Sequence, residues 1–333
     1  MAITGPSSYI PTMNDFTAHW ALCNAALPPA APLVVRQLNN VTMTQPQFVT
    51  LRDALQAQQT TIQACLTAQQ IARDVIQLKK VALVQQFALF TGLLDGYFRN
   101  TEFYGSRPLA PGLGYGQENF SRPLTDMMTL WAKVNAGPAP AGVTLPLVLP
   151  DGTDYSGFAS AVSALQFAYA AERSKAQDVG LARAKRDLIM AQAYEVMKLY
   201  RETVPAKLSA HPALVATLPR LSPVPGHTPE AVNASAIFQA PDATRVVYEE
   251  SNDGLLARYE LRGHVGEEYH EEDAVVIASR LPEEAREFVT TFGLTQPGAQ
   301  VALKVYVILT TDNEAGSAAM IVQRPALFLP LAA

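Results

Sequence analysis

The sequence predicts a multidomain α-then-β protein: a duplicated, elongated antiparallel helical bundle followed by a seven-stranded β-sandwich. Three observations predict it. Long proline-free stretches with helical spacing lie before residue 204, short alternating segments follow residue 231, and six prolines from Pro205 to Pro229 separate the two. At 333 residues and 49% hydrophobic, the chain has length for about two domains and apolar side chains enough for packed cores.

The first copy spans about residues 12–94. It opens on a short helix carrying Trp20 and continues through the apolar segment Pro32-Leu-Val-Val35. A long helix then starts at Thr44, where a capping hydroxyl is followed by Pro46 and, three residues on, by Gln47. Phe48, Leu51, Leu55, Ile62, Leu66, Val75, Leu78 and Phe87 recur at spacings suited to one face. A helix over 45–94 would extend roughly 75 Å and needs a partner to bury that stripe.

Residues 95–123 form a long connection crowded with Tyr97, Phe98, Phe103, Tyr104, Tyr115 and Phe120. Such a connection packs or works. Its aromatics are expected to fix it to the bundle, and Tyr104, Tyr115 and Phe120 are the candidates for an interaction surface. Gly112-Leu-Gly-Tyr-Gly116 has neither a preceding strand nor a phosphate-binding lysine, so a nucleotide loop is not supported.

The second copy, 124–203, repeats the first. Asp15, Trp20, Ala21, Asn24 and Ala25 match Asp126, Trp131, Ala132, Asn135 and Ala136. At a constant offset of 110, Thr44 pairs with Asp154, Phe48 with Phe158, Leu55 with Leu165, Arg73 with Arg183 and Leu78 with Leu188. The second long helix offers Phe158, Val162, Leu165, Phe167, Val179, Leu181, Leu188, Tyr194, Met197 and Leu199 as core positions. Trp20 and Trp131, the chain's two tryptophans, are expected to be equivalent core anchors. His19 and Cys23 share one helix face, yet align with Leu130 and Val134, which suits packing better than a nucleophile and its base.

Residues 205–230 read as a semi-rigid proline-rich linker crossed by neither helix nor strand. From residue 231 seven strands are expected: 234–239, 244–248, 256–262, 274–279, 286–292, 301–310 and 318–323, divided by turns such as Asn252-Asp253-Gly254 and Gln296-Pro297-Gly298. Leu303, Val305, Val307 and Leu309 share one face, with Lys304 and Tyr306 opposite.

The run Leu294-Thr-Gln-Pro297-Gly298, Val301-Ala-Leu-Lys-Val305-Tyr-Val307, Asp312-Asn313-Glu-Ala-Gly316-Ser317 resembles the second half of a fibronectin type III domain. Tyr259-Glu-Leu-Arg262 resembles its third strand. Two departures stand out: the family's tryptophan on the second strand is replaced by Val246, Val247 and Tyr248, and its tyrosine after the Pro-Gly turn is missing around Val301. The resemblance covers residues 231–325 and implies a binding or spacer module without catalytic residues. The whole chain also resembles bacterial proteins that join a duplicated helical region to such a domain.

Residues 231–333 carry 15 Asp and Glu against 7 Lys and Arg, and residues 1–230 carry 15 against 18. The acidic half argues against nucleic acid as a partner. Lys79-Lys80 and Arg183, Lys185 and Arg186 read as solvated helix faces. The densest acidic run, 264–273, reads as a solvated inter-strand loop. A divalent cation held by His264, Glu267, His270, Glu271 and Asp273 is the alternative. The chain has no run of about 18 apolar residues that would span a membrane and no recognisable secretory signal, so a cytoplasmic location is expected, with non-Sec export left open. The segment 326–333, with Leu327, Phe328 and Leu329, is apolar and uncharged and is expected to dock, within its own chain or on a neighbour.

Neither a nucleophile elbow, a P-loop, a C-x-x-C pair nor a zincin motif occurs, and no cofactor is implied. The expected function is a non-enzymatic structural or protein-interaction component, self-assembling into an oligomer or filament, with copies of itself as partner. A glycan- or peptide-binding adhesion module and a metal-dependent hydrolase are the alternatives.

Overall fold

A computed structural model describes residues 2–36 and 42–325. The chain divides into two compact units, residues 1–67 with 178–333, and residues 68–177. Helix α1 (Tyr9–Ala26) and the two-residue strands β1 (Val35–Arg36) and β2 (Thr42–Met43) precede α2 (Gln45–Tyr97). Helices α3 (Gln117–Ala136), α4 (Tyr155–Lys207) and α5 (Pro212–Ala216) follow. The two long helices have 53 residues each, and both their first and last residues are offset by 110.

Their starts are fixed by the side chains that the sequence singles out. Gln47 Oε1 accepts from the Thr44 backbone N–H at 2.8 Å, and Asp154 Oδ1 accepts from the Gly157 N–H at 2.7 Å. Each satisfies a backbone donor at or near a helix start. Within the first unit the start of α2 lies against the end of α4, with Gln58 donating to the Ala182 carbonyl. Within the second, Gln69 donates to Glu172 and Gln86 to Thr153, so α2 and α4 run antiparallel there.

Each unit holds one short helix against this pair. In the first, Trp20 is fully buried beside Phe48 and Tyr200, its Nε1–H donates to the Leu33 carbonyl, and Asn24 Oδ1 accepts the Leu33 N–H. In the second, Trp131 is fully buried beside Phe90 and Phe158, its Nε1–H donates to the Leu147 carbonyl, and Asn135 Oδ1 accepts the Leu147 N–H. A tryptophan supplies a large apolar area but must place its N–H. In both units a single extended residue solves that, because an asparagine one turn along the helix grips the same residue's amide.

Several expected core positions prove to be on the outside. Leu78 is 71% exposed, Phe167 75%, Leu181 65% and Leu188 73%, with Val75 and Tyr194 also open. Leu78, Phe167 and Leu181 each stand two residues past a buried one (Ile76, Leu165, Val179), which is about 200° around a helix. The seam between the long helices is narrower than the apolar stripe. Two boundaries also differ from expectation: α3 starts at Gln117, inside the expected connection and running through Pro123, and α4 continues through Pro205 to Lys207. Pro123 is the seventh residue of α3 and Pro205 the third from the end of α4, so each removes one i→i−4 hydrogen bond that its helix would otherwise make. Pro212 starts α5, so the proline-rich segment is not free of helix.

The β region has eight strands, not seven: β3 (Ala234–Gln239), β4 (Ala243–Tyr248), β5 (Leu256–Val265), β6 (Val275–Arg280), β7 (Glu287–Thr290), β8 (Gln300–Leu309), β9 (Glu314–Gly316) and β10 (Met320–Gln323). The added one is β9, too short for its alternation to register in the sequence. One sheet has the order β3-β4-β7; the other has β10-β8-β5-β6, with β9 also on β8. Val246 and Phe288 of the first share a core with Leu261, Leu303, Val305 and Val307 of the second.

Replacing Asn24 or Asn135 by alanine strands a buried amide, so each variant should lose about 1–3 kcal/mol. Chemical denaturation should return similar losses for the two, and unequal losses would refute equivalent roles.

Candidate functional site

The acidic run between β5 and β6 is solvated along Glu267, Glu268, His270, Glu271 and Glu272 but buried at its end, Asp273. It carries Asp273 into the helical part of the first unit, where its buried carboxylate meets two arginines one turn apart on α4. Arg183 reaches both oxygens, its Nε lying 3.1 and 2.9 Å from them, and Arg186 Nη1 lies 3.0 Å from Oδ1. Arg186 also donates to the Glu272 carbonyl, and Gln63 Nε2 of α2 donates to the Asp273 carbonyl at 2.7 Å. Arg183 and Arg186 are therefore a built receptor for one carboxylate rather than a solvated face. Spacing of three places both on one side of a helix, and forked guanidinium donors match a carboxylate's geometry.

The sheet face behind this loop buries charged side chains. Arg262 of β5 is fully buried, bonded to Glu260 and Glu314, with its guanidinium 4.0 Å from the Tyr306 ring centre. Tyr306 donates to Glu271, and burial foremost, then that bond, raises its hydroxyl pKa. The charges of this face are thus paired with one another. His264 is buried beside them. Its Nδ1 lies 2.8 Å from the Glu268 carbonyl, which can only accept, so Nδ1 holds the proton. Nε2 then faces Asp273 Oδ2 at 3.9 Å without a hydrogen-bond partner among the described residues. Burial pulls the His264 pKa down, against the Glu268 hydrogen bond and the Asp273 charge.

Of the cation candidates, Asp273, Glu271 and His264 are committed to these partners, whereas Glu267 and His270 are exposed. No group of three or more His, Cys, Asp or Glu among the described residues is placed to hold a metal ion. His19, Cys23 and Tyr200 do come together: the tyrosine hydroxyl is 2.7 Å from His19 Nδ1 and 3.4 Å from Cys23 Sγ. All three are buried, His19 Nε2 is bound to the Leu214 carbonyl, and burial raises the Cys23 thiol pKa. That arrangement packs a core and keeps the thiol protonated.

The aromatic candidates of the second unit divide. Tyr115 is exposed and Tyr104 half-buried against Arg107. Phe120, in contrast, is fully buried under Lys80, so it is core rather than contact surface. Lys80 itself is buried, not solvated, and donates to the Leu113 and Tyr115 carbonyls; burial lowers its pKa. Leu327, Phe328 and Leu329 lie outside the described residues.

A cleft of about 440 Å³ opens beside the joint, walled by Gln56, Gln59 and Gln63 of α2, by Val275 and Val276 of β6, and by Phe292. None of its lining residues is charged. The sequence holds a signal for it: uncharged glutamines cluster at 56, 58, 59 and 63, where a solvated helix usually carries charge.

No protein-family model matches the chain, and no curated protein matches it. Solved structures overlap it over about a third of its length. The pectate lyase PelI of Erwinia chrysanthemi, crystallised with tetragalacturonic acid, is 18% identical over 28% of each chain, with a TM-score of 0.24. A fibronectin type III-like protein of Clostridium thermocellum is 15% identical over 30% of this chain and 98% of its own, at 0.24. A fibronectin type III domain of human contactin 1 is 16% identical over 34% and 90%, at 0.26. The chain spans under a third of the length of the pectate lyases it matches.

Asp273→Asn leaves the buried Arg186 guanidinium with the exposed Asp187 as its one remaining carboxylate and should cost about 3–5 kcal/mol in urea unfolding. Arg183→Ala should cost clearly less, because its side chain is 38% exposed. Lowered in the folded protein, the His264 pKa makes the unfolded chain the better proton acceptor. Its contribution is fully present above a pH of about 6.5 and is lost as pH falls below that value toward the folded pKa. His264→Gln should flatten this part of a melting-temperature profile between pH 7 and 5, while an unchanged slope would place it elsewhere.

Proposed function

We propose that this chain is a non-enzymatic structural or protein-interaction component, whose helical faces bind further copies of itself. One observation carries the reading. Ile71 and Leu78 on α2, and Leu181 and Leu188 on α4, are pairs seven residues apart, related by the offset of 110, and all four stay open within their units at 38, 71, 65 and 73%. Seven residues is two helical turns, so each pair presents one apolar face. Covering each such side chain gains about 1.5–3 kcal/mol, and repetition of the same bare positions favours a partner over accident.

The equivalent helix starts, the equal helix lengths and the twin tryptophan grips support reading residues 1–204 as a duplication. Residues 231–325 are read as a module of the fibronectin type III kind. Tyr248, packed on Phe288 and Tyr259, takes the central place of the missing tryptophan. The commitment of Asp273, Glu271 and His264 to a structural joint supports a scaffold over a metal-dependent hydrolase.

Sedimentation velocity on the full chain tests this. Mass should rise with concentration, and Leu78→Glu with Leu188→Glu should abolish the rise while the circular dichroism spectrum holds. A wild-type chain that stays monomeric at high concentration overturns self-association.

A further inference from the structure

The joint between Asp273 and α4 has a buried imidazole behind it. We propose that His264 makes this joint an acid-operated latch: a proton taken up at Nε2 drives the loop from Gly266 to Ala274 off α4, while the sheet beneath stays folded.

The charge balance of the joint carries this. Asp273 brings one buried carboxylate, and Arg183 and Arg186 already bring two guanidinium groups to it. His264 Nδ1 keeps its proton on the Glu268 carbonyl, so a second proton enters at Nε2. That nitrogen is buried with no hydrogen-bond partner among the described residues, and Asp273 Oδ2 at 3.9 Å is beyond hydrogen-bond reach. Three cations then share one buried carboxylate, and a buried imidazolium with an unmet N–H is costly.

The surroundings of the ring offer no second anion to offset it. The loop places the His270 ring at 4.9 Å, and the Glu268 side chain is 82% exposed and lies toward His270. Glu272 is exposed, and Glu271 accepts from Tyr306. Arg262, two residues along the same face of β5, holds Glu260 and Glu314. On β8 the residue opposite His264 is the uncharged Ala302, and α2 contributes the neutral amide of Gln63. Burial foremost holds the pKa of the closed ring down, and a ring released to water returns to about 6.5. The open loop is therefore the better base. Opening gains up to about tenfold per pH unit below 6.5, the limit for one proton, until the closed-state pKa is reached.

The loop yields before the sheet because it is held by less. Its attachments to the helices are Asp273 on the two arginines, the Glu272 carbonyl on Arg186 and the Asp273 carbonyl on Gln63. Strand β5, by contrast, is paired with β8 from Leu256 to Val265. A segment with few contacts opens on its own.

Hydrogen exchange on the full chain tests the latch. The Asp273 and Ala274 amides donate to the His270 carbonyl and report the loop, and the amides of β8 report the sheet. Corrected for intrinsic rates, loop exchange should rise by about tenfold from pH 7.5 to 5.0 with β8 still protected, a range in which histidine is the side chain that ordinarily titrates. His264→Gln should hold the loop rate level, and His270→Gln, at a 54% exposed ring, should leave the rise in place. Where His264→Gln does not fold, the wild-type chain decides: its His264 Cε1–H resonance should titrate over the pH range in which the loop opens. A rise that survives His264→Gln, a resonance that titrates over another range, or protection lost from β8 together with the loop overturns the proposal.

Discussion

A single buried carboxylate fixes how the β region meets the helices of its unit. Asp273 has its side chain buried, and Arg183, Arg186 and the amide of Gln63 all converge on it or on its carbonyl. Taking a carboxylate out of water costs several kcal/mol unless its lone pairs are met. The loop from Gly266 to Ala274 therefore has one placement in which the cost is offset. The second face of the five-stranded sheet follows suit, because Glu271 on the same loop receives Tyr306, which covers Arg262.

Much of the helical half was legible because local chemistry decides it. Thr44 with Gln47, and Asp154, announce where the long helices begin, and the spacing of Trp20 to Asn24 and Trp131 to Asn135 announces a repeated grip. What the sequence hid is rotational. Leu78, Phe167, Leu181 and Leu188 look like core by hydrophobicity alone, and only the partner helix decides which 100° of the surface is closed. In the β half, alternation located seven of eight strands, and the Leu303-to-Leu309 face was correct residue by residue. Glu314–Gly316 escaped since three residues make no pattern.

The joint was legible in its parts but not in its pairing. An acidic run and a basic helix turn are each ordinary surface features, and nothing local to 264–273 or to 183–186 tells that ninety residues of chain bring them together. Charge asymmetry between the halves gave the sign of the attraction. It could not say that the contact is made inside one unit rather than between molecules. The glutamine cluster at 56–63 was likewise visible, yet its meaning depends on β6 and Phe292 arriving from more than two hundred residues away.

Where the arginine–aspartate contact sits also governs how the molecule answers to ionic strength. Ions at physiological salt screen exposed charges beyond about 8 Å, and a pair such as Arg245 with Glu287, open on both sides, is weakened accordingly. Asp273 and Arg186 are shut away from that atmosphere. Brine that weakens such open pairs leaves this attachment in force, so the first unit keeps its β region seated on its helices from dilute to saline surroundings.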